Sequence, residues 1–228
     1  MGRATRRYLA RYGLTVLHGP FAGLRYPRAA VGKADFLACK LLGQYEPELG
    51  PLFAGAEAFD VFVNVGSGDG YYAVGFARLN PRATVIGFET SRREQRLARR
   101  VAEANGVAVE LRGTAGPADL EALPPGRLLL MADIEGFEYD LLDPAHAGRL
   151  RLATMIVELH PHIRPGVTDV LRERFAPTHD IEVVEGAEKD PRRVPEVAGW
   201  PPGPANLVVS EGKPWPGSWM SLVPRAGA

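Results

Sequence analysis

The segment Phe59 to Gly66, FDVFVNVG, constrains this chain most: it is a near-continuous apolar run that ends directly in a glycine-rich loop. A strand of that kind expects cover on both faces, because an exposed face would alternate polar with apolar residues. The chain beyond the loop repeats the arrangement. Tyr71 to Leu79 predicts a helix, Ala83 to Glu89 a strand, and Arg92 to Asn105 a charged helix closed by Gly106. Ala108 to Gly113 and Arg127 to Gly136 predict strands joined by a loop or short helix, and Ala153 to His160 predicts another strand. Val167 to Phe175 predicts a helix and Asp180 to Gly186 a late strand, while Ala205 to Ser210, ANLVVS, is expected to close the sheet. Strand and helix alternating at this pitch imply an α/β fold, a mostly parallel sheet of Rossmann-like type with helices on both faces.

Three regions frame that core. Residues 1–32 are expected to form an N-terminal extension, with a helix over Ala4 to Tyr12 and a hairpin turning at Gly19-Pro20. Residues 33–212 form the main domain, entered by a helix over Ala34 to Leu42 and a second helical stretch ending near Phe53. The proline-rich stretch from Lys189 to Pro204 is expected to be a long loop, and residues 213–228 an irregular tail.

Charge removes some function classes. Lys plus Arg and Asp plus Glu number 27 each, so no net field draws the chain to nucleic acid or to an anionic membrane. The charged helix from Arg92 carries Glu94 and Glu103 beside its arginines and suits a solvated surface. The single cysteine, Cys39, lies in an apolar-periodic stretch and is expected to be a buried, inert thiol. No apolar run reaches membrane-spanning length. The start has no apolar signal core, and Arg6 stands where myristoylation needs Ser or Thr, so a cytoplasmic protein is expected.

The chemistry concentrates at strand ends. In Asn64-Val65-Gly66-Ser67-Gly68-Asp69-Gly70, glycine lets the backbone turn sharply and lets a ligand lie against the main chain. The helix start just after it offers free N–H groups. A dinucleotide loop reads G-x-G-x-x-G, whereas this one reads G-x-G-x-G. Glu89, about 20 residues on, stands where nucleoside-binding sheets place an acid on the ribose hydroxyls. The alternative is that Glu89 caps the next helix together with Thr90 and Ser91. Asp133 and Glu135 leave the fourth strand, Glu158 and His160 the fifth, and i,i+2 spacing puts each pair on one strand face. Asp133, Glu158 and His160 are a candidate divalent-metal site; without a metal, His160 is the candidate general base, oriented by Glu158 or Asp133. Glu135 has a capping alternative, Glu138 reads as a solvated face, and His162 reads as a loop residue.

The segments NVGSGDGYYAVGFA, IGFET, ADIEGFEYDLL and MIVELH resemble the FkbM family of methyltransferases over roughly residues 33–185. The resemblance implies a seven-stranded class I methyltransferase sheet, S-adenosylmethionine as cofactor and O-methylation of a small molecule. It implies cofactor contacts from Asn64, Gly66, Ser67, Gly68, Asp69, Glu89, Thr90, Thr114 and Asp133, with Asp119 near the adenine. Glu46, in LLGQYEPEL, is the candidate for the cofactor's ammonium, against a reading of simple packing by Tyr45. Asn64 departs from the acid this family commonly carries two residues before the first loop glycine, and Asp69 is expected to supply the missing charge. The expected partner is a small-molecule methyl acceptor, with no nucleic acid and no membrane; homo-oligomerisation is left open. A nicotinamide oxidoreductase and a non-catalytic nucleotide-binding Rossmann protein are the competing readings.

Overall fold

A computed structural model describes residues 2–32, 36–212 and 217–226. Seven strands form one sheet: β1 (Val61–Val65), β2 (Thr84–Phe88), β3 (Glu110–Arg112), β4 (Leu128–Ala132), β5 (Thr154–Leu159), β6 (His179–Glu185) and β7 (Ser218–Pro224). Their spatial order is β3-β2-β1-β4-β5-β7-β6, parallel from β3 through β5 and antiparallel where β7 pairs with β5 and β6. The helices are α1 (Arg3–Tyr12), α2 (Leu37–Leu42), α3 (Tyr71–Leu79), α4 (Arg92–Asn105), α5 (Pro117–Glu121), α6 (Glu138–Leu141), α7 (Val167–Phe175) and α8 (Pro202–Val209). No described helix is long and apolar enough to cross a membrane.

The central strands β1 and β4 are buried at every position, which is why they read as apolar runs and not as alternation. Each face of the sheet carries its own core. Phe62, Leu129, Met131, Ile156 and Trp219 face α3 and the N-terminal segment, while Val63, Leu130, Val157, Met220 and Leu222 face α7 and Phe175. The strand order switches direction beside β1, so the crevice beyond the carboxyl ends of β1 and β4 is the natural ligand site of such a sheet.

Several expectations need correction. Residues 218–224 form β7, which lies between β5 and β6 in the sheet, so the expected irregular tail holds an interior strand. ANLVVS closes no sheet; it belongs to helix α8, whose Pro202 occupies the first turn, where a missing N–H costs nothing. The expected hairpin is a single bridge between Thr15 and Arg25. Within the N-terminal extension, Tyr8, Phe21 and Leu24 are buried in the same core as α3. Phe21 packs so closely on Gly75 of α3 that a Cβ there would lie 2.5 Å from its ring. The proline-rich stretch holds a 3-10 turn, Pro191–Arg193, and the start of α8. Residues 33–35, where the expected α2 helix would begin, and 213–216 lie outside the described residues.

Candidate active site

The loop after β1 is held by its own backbone. Gly66 and Ser67 both donate N–H bonds to Phe88 O at 2.9 Å, folding the loop onto the end of β2. Gly66 has φ +80°, and a Cβ there would stand 1.8 Å from the backbone oxygen of Asp133. Gly68, at φ +50°, meets nothing within 4 Å, so its outer side is open for a ligand to approach the main chain. Glu89 braces this shape: one carboxylate oxygen accepts from Gly68 N at 2.9 Å and the other from Ser91 N at 2.7 Å. Ser91 itself caps α4 by accepting from Glu94 N. Glu89 thus supports the helix start and also faces a cavity with Thr90 and Thr114, so the two expectations for it are compatible.

That cavity, of about 580 Å³, opens beyond β1, β2 and β3. Phe88, Ala115, Ile134, Phe137 and Leu141 give it apolar walls, with the Glu89 carboxylate at one side. Asp119 is not among its lining residues; its carboxylate accepts from Gly116 N and caps α5 instead.

A second cavity of about 500 Å³ lies beyond β1, β4 and β5 and shares Gly66, Asp133 and Glu135 with the first. Asn64, Ser67, Gly68 and Asp69 line it, and Asn64 Oδ1 and Ser67 Oγ are buried without a hydrogen-bond partner. Buried polar atoms of this kind are usually satisfied, so these two fit a polar ligand beside the loop. Asp69 does not offer a free charge, contrary to expectation. Its carboxylate takes Lys40 Nζ at 3.0 Å, Tyr26 OH at 3.2 Å and Tyr71 N at 3.2 Å, and the pair with Lys40 is buried. Glu46 is not among the residues lining either cavity. It is buried in the left-handed region at φ +45°, and its carboxylate accepts from the Tyr72 hydroxyl. Burial first, then the charge of Glu46, keeps the Tyr72 phenol protonated and so able to donate.

Four carboxylates surround one imidazole at the far wall. His160 Nε2 lies 3.7 Å from Asp133, 3.6 Å from Glu135 and 3.8 Å from Glu158, while Nδ1 lies 3.2 Å from Glu138. One ligand atom from each of Asp133, Glu158 and His160 falls within 4.8 Å of the others, the spacing of a cation site. The topology explains the meeting, because β4 and β5 are parallel neighbours and end side by side. Burial opposes protonation of His160, but the Glu138 contact and the charges of Glu158, Glu138 and Glu135 outweigh it and raise the imidazole pKa. Glu138 is not a solvated face: it is fully buried, and Ile134 N donates to its Oε1 at 2.7 Å. The turn responsible runs through Glu135 at φ +54° and Gly136 at φ +94°, which sends residue 138 back under the strand end. His162, expected to be a bland loop residue, also faces this cavity. Lys40 and Glu138 are the site neighbours that sequence reasoning misses, and both are charged residues at buried positions.

No family model matches the chain, and no curated protein matches it. Solved structures do. A putative O-methyltransferase from Klebsiella pneumoniae covers 98% of this chain and 90% of its own at 16% identity, with a TM-score of 0.52. The O-methyltransferase TomG from Streptomyces achromogenes, solved with S-adenosylmethionine, matches at 17% identity over 77% of this chain and 78% of its own, TM-score 0.51. The tRNA methyltransferase TrmK of B. subtilis matches at 18% identity over 80% and 67%, TM-score 0.50. The fold is that of the Rossmann-like methyltransferases. The solved structures that match include a tRNA methyltransferase as well as O-methyltransferases, so the fold by itself assigns no substrate.

Proposed function

We propose that this chain is an S-adenosylmethionine-dependent methyltransferase, FkbM-like in its motifs, that methylates a hydroxyl oxygen of a small molecule. The observation that carries the reading is the pair of cavities meeting at Gly66 and Asp133. The apolar cavity with Glu89 suits a nucleoside, since one carboxylate can accept from both ribose hydroxyls. The acidic cavity, which joins the first at Gly66 and Asp133, suits the acceptor. Bound S-adenosylmethionine would supply a sulfonium methyl carbon; attack by the acceptor oxygen forms the C–O bond as the C–S bond breaks. The protein's share is to align that oxygen and take up its proton.

Asp133, Glu158 and His160 are the residues that would hold a divalent cation, whose chemistry there is to acidify a bound hydroxyl. Without a cation, the same placement makes His160 Nε2 the proton acceptor. A small-molecule acceptor is favoured over nucleic acid because Lys40 is the only lysine or arginine among the described residues lining the acidic cavity, and Asp69 already neutralises it. Phosphate backbones need basic partners.

The test is calorimetry, then turnover. S-adenosylhomocysteine is expected to bind and nicotinamide dinucleotide is not. With an acceptor in hand, chelation is expected to stop turnover while leaving S-adenosylhomocysteine affinity nearly intact. Preference for the nicotinamide cofactor removes the methyltransferase reading, and turnover indifferent to chelation removes the cation in favour of a His160 base.

A further inference from the structure

We infer that Glu138 is a positioning residue, one that fixes His160 in the tautomer carrying its proton on Nδ1. The inference rests on the reading of Asp133, Glu158 and His160 as one functional site. In that tautomer Nε2 keeps its lone pair and turns it towards Asp133 and Glu158, where either a cation or an acceptor proton would be met.

The geometry constrains both sides of the ring. Nδ1 is fully buried, and Glu138 Oε1 faces it at 3.2 Å. Oε1 also accepts the Ile134 amide proton at 2.7 Å, so it meets the ring as an acceptor. A bare Nδ1 would therefore set two lone pairs against each other at a buried position, with no donor to Nδ1 among the described residues. A protonated Nδ1 has an acceptor in reach, although the contact is longer and less aligned than an ideal hydrogen bond. Leaving a buried polar atom unmatched is costly enough to select one tautomer.

The shape of the chain supports a dedicated role. Glu138 has no exposure, and its second oxygen has no hydrogen-bond partner in the structure. Burying a carboxylate is expensive, and a cap for Ile134 N alone needs only a neutral acceptor. The consecutive left-handed residues Glu135 and Gly136 are what return Glu138 beneath the strand end. Glu135 meets the same ring on its Nε2 edge, yet its side chain is 75% exposed and able to swing away. On the Nδ1 edge, Glu138 is the carboxylate that meets the ring, and it is buried and held by the Ile134 amide. A buried partner on the far nitrogen is the usual way a protein sets which histidine nitrogen faces a site.

The experiment is nitrogen NMR of the full-length protein labelled at histidine, read at alkaline pH where the imidazole is neutral, with H160Q assigning the signal. His160 is expected to show a protonated Nδ1 and an unprotonated Nε2. E138Q keeps a carbonyl acceptor and should preserve that tautomer, whereas E138L should yield a mixture. Manganese(II) titration should lose about 10- to 100-fold in affinity in E138L, with a smaller loss in E138Q. A wild-type His160 protonated on Nε2, or an unchanged tautomer in E138L, overturns the inference. If E138L does not fold, the wild-type signal and E138Q decide it alone. Should wild type show the expected tautomer but bind no manganese(II), the cation reading fails and Glu138 stands as the orienting partner of a histidine base.

Discussion

The two cavities that meet at Asp133 are built by opposite means. The one beside Glu89 is chiefly an apolar wall, and its Glu89 carboxylate is fixed from behind by the backbone N–H groups of Gly68 and Ser91. The one beside His160 is made of ionisable side chains crowded onto two strand ends. The first should depend most on its shape and less on its single bracing carboxylate. The second should tolerate changes in bulk and fail when a single charge is lost.

The largest expected effect falls where the cavities join. Gly66→Ala has to displace the Asp133 carbonyl and adopt φ +80°, so we expect destabilisation of about 4 kcal/mol or more, read as a drop in the denaturant midpoint. A folded Gly66→Ala protein with unchanged stability would show that the close approach of Gly66 to the Asp133 carbonyl is not needed where the cavities join. Next, His160→Ala is expected to lower turnover by about 10²- to 10⁴-fold while S-adenosylhomocysteine affinity stays within a few-fold. Equal losses in both measurements would mean that the cavities are not separable.

Gly68→Val tests the loop itself, which lines the acidic cavity and donates to Glu89 of the other. Its neighbourhood is empty and its strain is modest, about 1–2 kcal/mol, so the fold should survive. Affinity for S-adenosylhomocysteine should fall by about 100-fold, because the branched side chain fills the approach to the loop. Glu89→Ala should cost about tenfold through the lost charged hydrogen bonds. Unchanged binding in both variants would defeat the nucleoside assignment.

The smallest effect is a control remote from both cavities. His179 is fully buried with Nε2 donating to Ala153 O at 2.9 Å, and burial lowers its pKa below the usual 6.5. Being neutral in the folded chain, it contributes no pH dependence above 6.5; as pH falls below that value the unfolded chain takes up a proton that the folded chain refuses. Stability should therefore decline from about pH 6.5 towards the folded-state pKa, and His179→Gln should flatten that slope in pH-dependent denaturation without altering S-adenosylhomocysteine affinity.

Legibility divides along physical lines. Helices α3, α4 and α7 begin and end where the sequence pattern puts them, because each has a strong apolar stripe and a glycine or Ser91 at its start or end. Asp133, Glu158 and His160 are legible because parallel strands ending together are a consequence of the alternation itself. Strand β7 is hidden because prolines at 214, 216 and 224 crowd a six-residue apolar stretch. ANLVVS has strand-forming residues but lies against α1 and α2, and packing overrides propensity. Lys40 and Glu138 are invisible for a different reason: whether a charged residue is buried depends on what closes over it, and no local pattern records that.

The position of β7 also has a meaning in time. Among the described residues β6 pairs with no strand except β7, and β7 is the last of the seven to be synthesised. As the chain emerges, α7 and β6 must wait beside a sheet whose edge at β5 is still open. Residues 218–224 pair antiparallel with both β5 and β6, so one strand sets the β6 register and covers that edge. A chain whose residues 218–224 have not yet docked would therefore present a bare, adhesive strand edge at β5, which makes the interval before β7 pairs a moment of exposure to aggregation.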